Sequence, residues 1–334
     1  MHIPDNYLSP STCGVMTAVM VPIWAYSLKK IKEEMPQDRI PLLGVGAAFA
    51  FLLMMFNIPL PGGTTGHAVG GTLIAILFGP YAACIAVSIA LLIQAVLFGD
   101  GGILSFGANC FNMAFILPFT GYGIYKVLSR LIPGAAGEKA GILIGSYIGI
   151  VAAAFCAAVE FGIQPMLFTD AAGQALYCPY PLGVSIPAMV IPHMLVAGIV
   201  EAAFTLAIYS FIQKSAPSLA RSQSQNASTG LRPIYGLLTA LVICTPLGLW
   251  AEGDAWGEWS PEDIADVAQG GQSLGYTPHQ MLNGFNFNAI MPDYSVAGLP
   301  DAAGYILSAI AGTALLIIIF KLIGTMYHET LPSK

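Results

Sequence analysis

Residues 69–98 read VGGTLIAILFGPYAACIAVSIALLIQAVLF, a block with no charged side chain and no polar–apolar alternation of a half-buried strand. A run this apolar reads as membrane-spanning helix, because only helices and closed barrels satisfy their backbone groups in hydrocarbon. As a single helix it would be longer than one crossing needs. Gly79-Pro80 is the natural break, since Pro80 suits the first turn of a new helix and cannot continue an old one. The first piece, 66–78, is too short to span a bilayer unaided. It is expected to begin below the surface, with its N-terminus opening into a protein-lined cavity.

The pattern extends along the chain. Of 334 residues, 9% are charged and 56% hydrophobic, against about 25% charged in soluble proteins. Apolar blocks predict helices over 12–28, 40–57, 66–78, 80–98, 104–128, 138–160, 186–213, 232–251 and 303–324. The fold class is an all-α polytopic membrane protein.

The twelve basic residues orient these helices. Lys29, Lys30, Lys32 and Arg39 follow the first; Lys126, Arg130 and Lys139 follow the fifth; Lys214, Arg221 and Arg232 follow the seventh; Lys321 and Lys334 come last. With the N-terminus outside, all of them lie on the cytoplasmic side, as positive charge in short loops requires. A single crossing over 66–98 would strand Lys126, Arg130 and Lys139 outside, so two crossings are expected. A net charge of −6 without a basic cluster argues against a nucleic-acid partner.

Residues 1–213 are expected to form a seven-helix core and 214–231 a polar, flexible cytoplasmic linker. Residues 232–334 then make a transmembrane hairpin around an acidic outer segment. That segment carries Glu252, Asp254, Glu258, Glu262, Asp263 and Asp266, with Trp250, Trp256 and Trp259 expected near the membrane interface. The six cysteines show no CxxC spacing and read as packing residues. The opening Met-His-Ile-Pro-Asp has neither the basic nor the apolar region of a signal peptide, so Met1 and His2 are expected in the mature protein.

His2 is informative because of its neighbour. The α-amine, the amide nitrogen of His2 and its imidazole can wrap one metal ion in fused five- and six-membered chelate rings. His67, in the Gly-rich stretch Pro61-Gly62-Gly63-Thr64-Thr65-Gly66-His67, can add a fourth nitrogen from the same side. Four nitrogens including a deprotonated amide favour a plane, which suits Ni(II) or Cu(II) over Zn(II). Taken singly, a His at position 2 is commonly just a terminus, and a His beside a Gly-rich loop a structural hydrogen bonder. Pro4 and Asp5 strengthen the metal reading, Pro4 by stiffening the terminus and Asp5 as a carboxylate backing the ligands.

Within the spans, Glu160, His193 and Glu201 are ionisable and costly. His193 and Glu201, eight apart, share a helix face; they read either as a network along a cation path or as packing hydrogen bonds. Asp100 in Gly99-Asp100-Gly101-Gly102 and Asn109 in Gly107-Ala108-Asn109 flank one outer loop, and either cover the same cavity or make turns. Gly141, Gly145, Gly149, Ala153 and Ala157 form a small-residue ridge for close helix contact, with a helix of this chain or of a partner. Signatures of a metalloprotease, a serine hydrolase and a phosphate-binding loop are missing from the sequence, so ATP-driven action needs a separate ATPase.

These residues resemble the CbiM/NikM family, the substrate-specific components of energy-coupling factor transporters for cobalt and nickel. The likeness rests on Met1-His2-Ile3-Pro4-Asp5 with Leu8-Ser9-Pro10, the His67 segment, Gly101-Gly102 with Gly107-Ala108-Asn109 and Met113, and His193 through Glu201-Ala202. It covers residues 1–213. Met291-Pro292-Asp293-Tyr294 and Gly298-Leu299-Pro300-Asp301 are similar, more loosely, to the small CbiN/NikN-type subunit. The resemblance implies a seven-helix fold with its N-terminus inserted toward the centre, and metal held by the Met1 amine, the amide and imidazole of His2, and His67. It implies Co(II) or Ni(II) as transported substrate, no organic cofactor, a transmembrane coupling subunit and two cytoplasmic ATPases as partners, and a cell-membrane location. Family members usually read Asp-Gly-Phe after Pro4; here Asn6-Tyr7 follows Asp5, and Asn tolerates the positive φ that Gly allows. The competing expectation is a metal-responsive membrane sensor without transport of its own.

Overall fold

The computed structural model describes residues 1–217, 231–251, 253–269 and 272–329. The expected linker over 214–231 falls mostly outside them, as does Glu252. Helix α1 (Pro10–Glu34) starts where Ser9 Oγ accepts the Thr12 N–H and Pro10 fills the first turn, both favourable at a helix start. Helix α2 (Ile40–Met54) follows, then a hairpin of strands β1 (Ile58–Leu60) and β2 (Thr64–Gly66) with Pro59 opposite Thr65. Gly62 and Gly63 turn it at φ 96° and 76°, where a Cβ would be strained.

Helix α3 (Gly71–Phe78) begins five residues later than the apolar block predicted. Gly66 is still paired with Ile58, and Gly70 sits at φ 74°, outside the helical region. The eight residues of α3 rise only about 12 Å, against about 30 Å of hydrocarbon, so α3 is the expected part-span. Gly79, at φ 91° and ψ 155°, ends it, and Pro80 opens α4 (Pro80–Ile93), which runs on as a π-helical stretch over Gln94–Phe98. Helices α3 and α4 pack side by side. The break lies where the sequence placed it.

A helical passage over 106–131 comprises α5 (Phe106–Asn109), a π-helical section Cys110–Ile116 and α6 (Leu117–Leu131). Then come α7 (Ala135–Gly162), α8 (Leu182–Pro192), a π-helical section His193–Ala197, α9 (Gly198–Ser215), α10 (Arg232–Cys244) and α11 (Asp301–Glu329). Among the described residues, seven helices are long and apolar enough to cross a membrane: Pro10–Glu34, Gln37–Met54, Pro80–Phe98, Ala135–Leu167, Leu182–Ser215, Arg232–Trp250 and Asp301–Met326. With α3 and the 106–131 passage they account for the expected helices, and the chain is an all-α, multi-pass membrane protein.

Close packing places the pieces. The small-residue ridge of α7 faces α6 of the same chain: a Cβ at Gly141 would stand 2.9 Å from Tyr125 O, and one at Gly149 2.7 Å from Leu117 O. Helix α11 lies on α2 equally closely, since a Cβ at Gly44 would come within 2.8 Å of Phe320 Cβ. The C-terminal region is therefore docked on the core. Its segment between α10 and α11 also reaches β2, bridging Thr65 to Ala255. Trp250 is 80% exposed, but Trp256 is 7% exposed and packs with Phe161, Tyr180 and Trp259 over the N-terminal segment. At the far end of α1, Lys30, Arg39, Lys126 and Arg130 line one cleft, so two of the basic loops share one face of the protein.

Candidate metal centre

The first residues run through the interior, Met1 at 3%, His2 at 2% and Ile3 at 0% exposure. Burying a charged terminus and two peptide units costs free energy unless their polar groups are paired. They are paired. The Ile3 N–H donates to Asn109 Oδ1 (2.8 Å), Asn109 Nδ2 donates to the Ile3 carbonyl (3.0 Å), and the Gly102 N–H donates to that carbonyl too (2.8 Å). Ser105 Oγ donates to the Pro4 carbonyl (3.1 Å). Gly101 allows the close approach: at φ 82° its missing Cβ would lie 3.0 Å from Asn109 Nδ2 and 3.3 Å from His2 Cδ2. Asp100 and Asn109 thus both contact the N-terminal segment, at His2 and Ile3. Asp5 serves the same loop rather than the histidines. Its carboxylate accepts the N–H groups of Ile103 (3.1 Å) and Leu104 (2.8 Å), which corrects its expected part behind the ligands.

His2 and His67, far apart in sequence, meet here. His2 Nδ1 lies 3.2 Å from His67 Nε2, with ring centroids 4.9 Å apart. His67 Nδ1 is 3.2 Å from the Ala68 carbonyl; as donor there it leaves Nε2 as a lone pair facing His2. Burial, and then the positive Met1 amine, hold the His2 imidazole down, to about 3. The same causes in the same order hold His67 well below the ordinary histidine value. Both rings are neutral at physiological pH, the state a metal requires. Four nitrogens about 2 Å from a metal at right angles have neighbours roughly 2.8 Å apart, so the two ring nitrogens stand near adjacent corners of such a square.

Around them is a ring of polar groups, several from the C-terminal region. Asp100 Oδ1 is 3.1 Å from His2 Nδ1. Its other oxygen accepts from Gln94 Nε2 (3.1 Å) and from the Tyr294 hydroxyl, and Gln94 Nε2 donates to Tyr294 Oη (2.8 Å). Burial raises the Asp100 carboxyl. His2 Nε2 and Gln94 Oε1 are both buried without a partner. The Met1 amine donates to Glu258 Oε1 at 3.3 Å, and burial pushes that carboxyl up to about 7 against the pull of the amine.

His193 and Glu201 lie on the far wall. Two α-turns take about 7.2 residues; the π-helical stretch between them absorbs the excess and keeps both on one side. His193 Nδ1 hydrogen-bonds its own helix at the Met189 carbonyl (2.7 Å), while the ring lines a small pocket with Met1, Thr64 and Thr65. Glu201 caps α3, its carboxylate accepting Val69 N–H (2.7 Å) and Gly70 N–H (3.0 and 3.1 Å). It fixes the loop that carries His67. Glu160 is bonded to Asn112 Nδ2 (2.8 Å), away from this group.

Among the described residues, no three His, Cys, Asp or Glu side chains converge closely enough to hold a metal ion. The nitrogens gathered here are two imidazoles and the main-chain nitrogens of Met1 and His2. Sequence reasoning missed Gln94, Glu258 and Tyr294 at this site. Gln94 was visible as the one amide side chain in the apolar span 80–98, whereas nothing set Glu258 apart in a run of acids.

A family model described as "Cobalt uptake substrate-specific transmembrane region" matches residues 2–219, and the PDGLE domain matches residues 232–329. The "Probable fused nickel transport protein LarMN" of Lactiplantibacillus plantarum is 48% identical over 336 residues, covering 100% of each chain. The "Fused nickel transport protein NikMN" of Rhodobacter capsulatus is 45% identical over 333 residues, covering 95% of each. A crystal structure of a transition metal transporter superposes with a TM-score of 0.61 at 53% identity, over 64% of this chain and 93% of that one.

Proposed function

Because the chain belongs to the family of the cobalt uptake substrate-specific transmembrane region, followed by a PDGLE domain, we propose that it captures Ni(II) at a planar site made by the Met1 amine, the His2 amide and imidazole, and His67. The resemblance read from its motifs is borne out, and the protein is a metal transport protein of that family. The observation that carries the proposal is the meeting of His2 Nδ1 and His67 Nε2 at 3.2 Å beside a buried terminus. Nickel is favoured over cobalt by the plane of four nitrogens and by the two relatives matched along nearly their whole length, both named for nickel transport.

Binding removes one proton from the amine and one from the His2 amide. It also moves the imidazole proton from Nδ1 to Nε2, with Gln94 Oε1, buried and unpartnered as Nε2 is, as its acceptor. The N-terminus faces outside, with the basic loops in the cytoplasm. Inward delivery is driven by separate subunits, a transmembrane coupling protein and two ATPases. Isothermal titration of a variant with one Gly added before Met1 tests the site, since the new peptide bond removes the amine ligand. Ni(II) affinity is expected to vanish; wild-type affinity would rule the amine out.

A further inference from the structure

Residues 282–290, in the C-terminal region, cross the face of the protein above His2. Both ends of this strap are tied: the Gln280 N–H donates to the Leu176 carbonyl (3.0 Å) and the Met291 N–H to the Leu97 carbonyl (2.8 Å). Its middle is fastened by Asn6. The Asn6 Nδ2 donates to the Phe285 carbonyl (2.8 Å) and the Phe285 N–H donates to Asn6 Oδ1 (2.9 Å). One primary amide thus uses a donor and an acceptor on one residue, as a neighbouring strand would. Elsewhere the strap is weakly held, with Leu282, Phe285, Phe287 and Ile290 at 56%, 41%, 42% and 75% exposure. Few buried contacts and exposed hydrogen bonds mark a segment that opens at low cost.

Beneath it lies a cleft of about 180 Å³, walled by Phe285, Asn286 and Phe287 above and by Pro4, Asp5 and Gly101 below. Gly101 is also the residue against which the His2 ring lies. Gly101, which has no side chain, thus borders both the cleft and the ring. Resting on the ligand set proposed above, we propose that this cleft is the mouth through which a divalent transition-metal ion reaches His2, and that Asn6 governs how fast it passes by fastening the strap. Asn6 belongs to the segment that carries Met1 and His2, and Phe285 to the C-terminal region. The clasp joins the two across the mouth.

Asn6 stands at φ 67°, a conformation glycine adopts freely. Asn6→Gly therefore keeps the backbone and removes the clasp. Gly284→Ala disturbs the clasp from the other side: Gly284 has φ −84° and ψ −158°, open to any residue, but its Cβ would collide with Asn6 Oδ1 and with the Gln280 carbonyl oxygen, so Asn6→Gly is the cleaner variant. The experiment uses the full purified chain with Ni(II) alone. Equilibrium affinity is measured by titration, and capture and release rates by stopped flow against a chelator. In both variants capture and release are expected to quicken together by about tenfold, with the dissociation constant held within about twofold.

Unchanged rates in both variants would overturn the strap. A weakened affinity with an unchanged capture rate would overturn it too, because Asn6 would then be positioning ligands. If the wild-type chain bound no Ni(II), the ligand set itself would fall, and the strap with it.

Discussion

His2 Nδ1 and His67 Nε2 lie 3.2 Å apart, and each is brought there by backbone it does not share with the other. Asn109 and Gly102 grip Ile3 to place His2, while Glu201 grips Val69 and Gly70 to place the loop of His67. The site is assembled where two independently anchored loops meet. The strength of the proposed site is therefore expected to depend on groups outside its ligand set.

His67→Ala is expected to weaken Ni(II) binding by at least about 100-fold, the upper range for losing even a partner one step removed from a metal. His279→Ala, at an exposed position, is expected to leave it unchanged. Titration calorimetry of the two variants checks this, and an equal loss in both would show that the histidine is misassigned.

Gln94→Met keeps the bulk of the side chain but removes Oε1, the acceptor proposed for the His2 Nε2 proton. Affinity is expected to drop by about 10-fold, in line with the loss of a partner that orients a metal-bound imidazole. The Asp100–Tyr294 bond does not require Gln94, so the fold should persist, with thermal unfolding as the control. No change in affinity would mean that the proton of the bound imidazole goes elsewhere.

Much of this was legible in the sequence. The break at Gly79-Pro80 follows from covalent properties of two residues, and the part-span α3 follows from length. Met1 and His2 were singled out as proposed ligands because chelate chemistry is local to a dipeptide, and His67 for its Gly-rich loop; the structure brings the two histidines within 3.2 Å. The later start of α3 was hidden, because Gly66 is held by its pairing with Ile58, a partner that composition does not reveal. The π-helical stretch from His193 to Ala197 was hidden too, since local widening is set by packing. Asp5 was read as backing the ligands because it is near them in sequence, but a short side chain two residues past Ile3 reaches the N–H groups of 103–104 instead. Glu258 and Tyr294 reach the site only through the docking of the C-terminal region, which no periodicity encodes.

The orientation is open to chemical labelling. On a background without the six native cysteines, single cysteines at the exposed positions Lys126 and Lys139 should react with an impermeant thiol reagent only from the cytoplasmic side. A cysteine at Asn286, by the mouth of the proposed cleft, should react only from outside. The reverse pattern would place the site inside the cell and contradict capture from the exterior.

The most direct measurement on the central claim is nickel X-ray absorption on the loaded, full-length chain. Four nitrogen neighbours at roughly 2 Å, with the spectral shape of a planar site and loss of that signature in the Gly-extended chain, are the predicted result. A six-coordinate site rich in oxygen, indifferent to the added Gly, would contradict the account, because the buried amine and amide would then not be ligands at all.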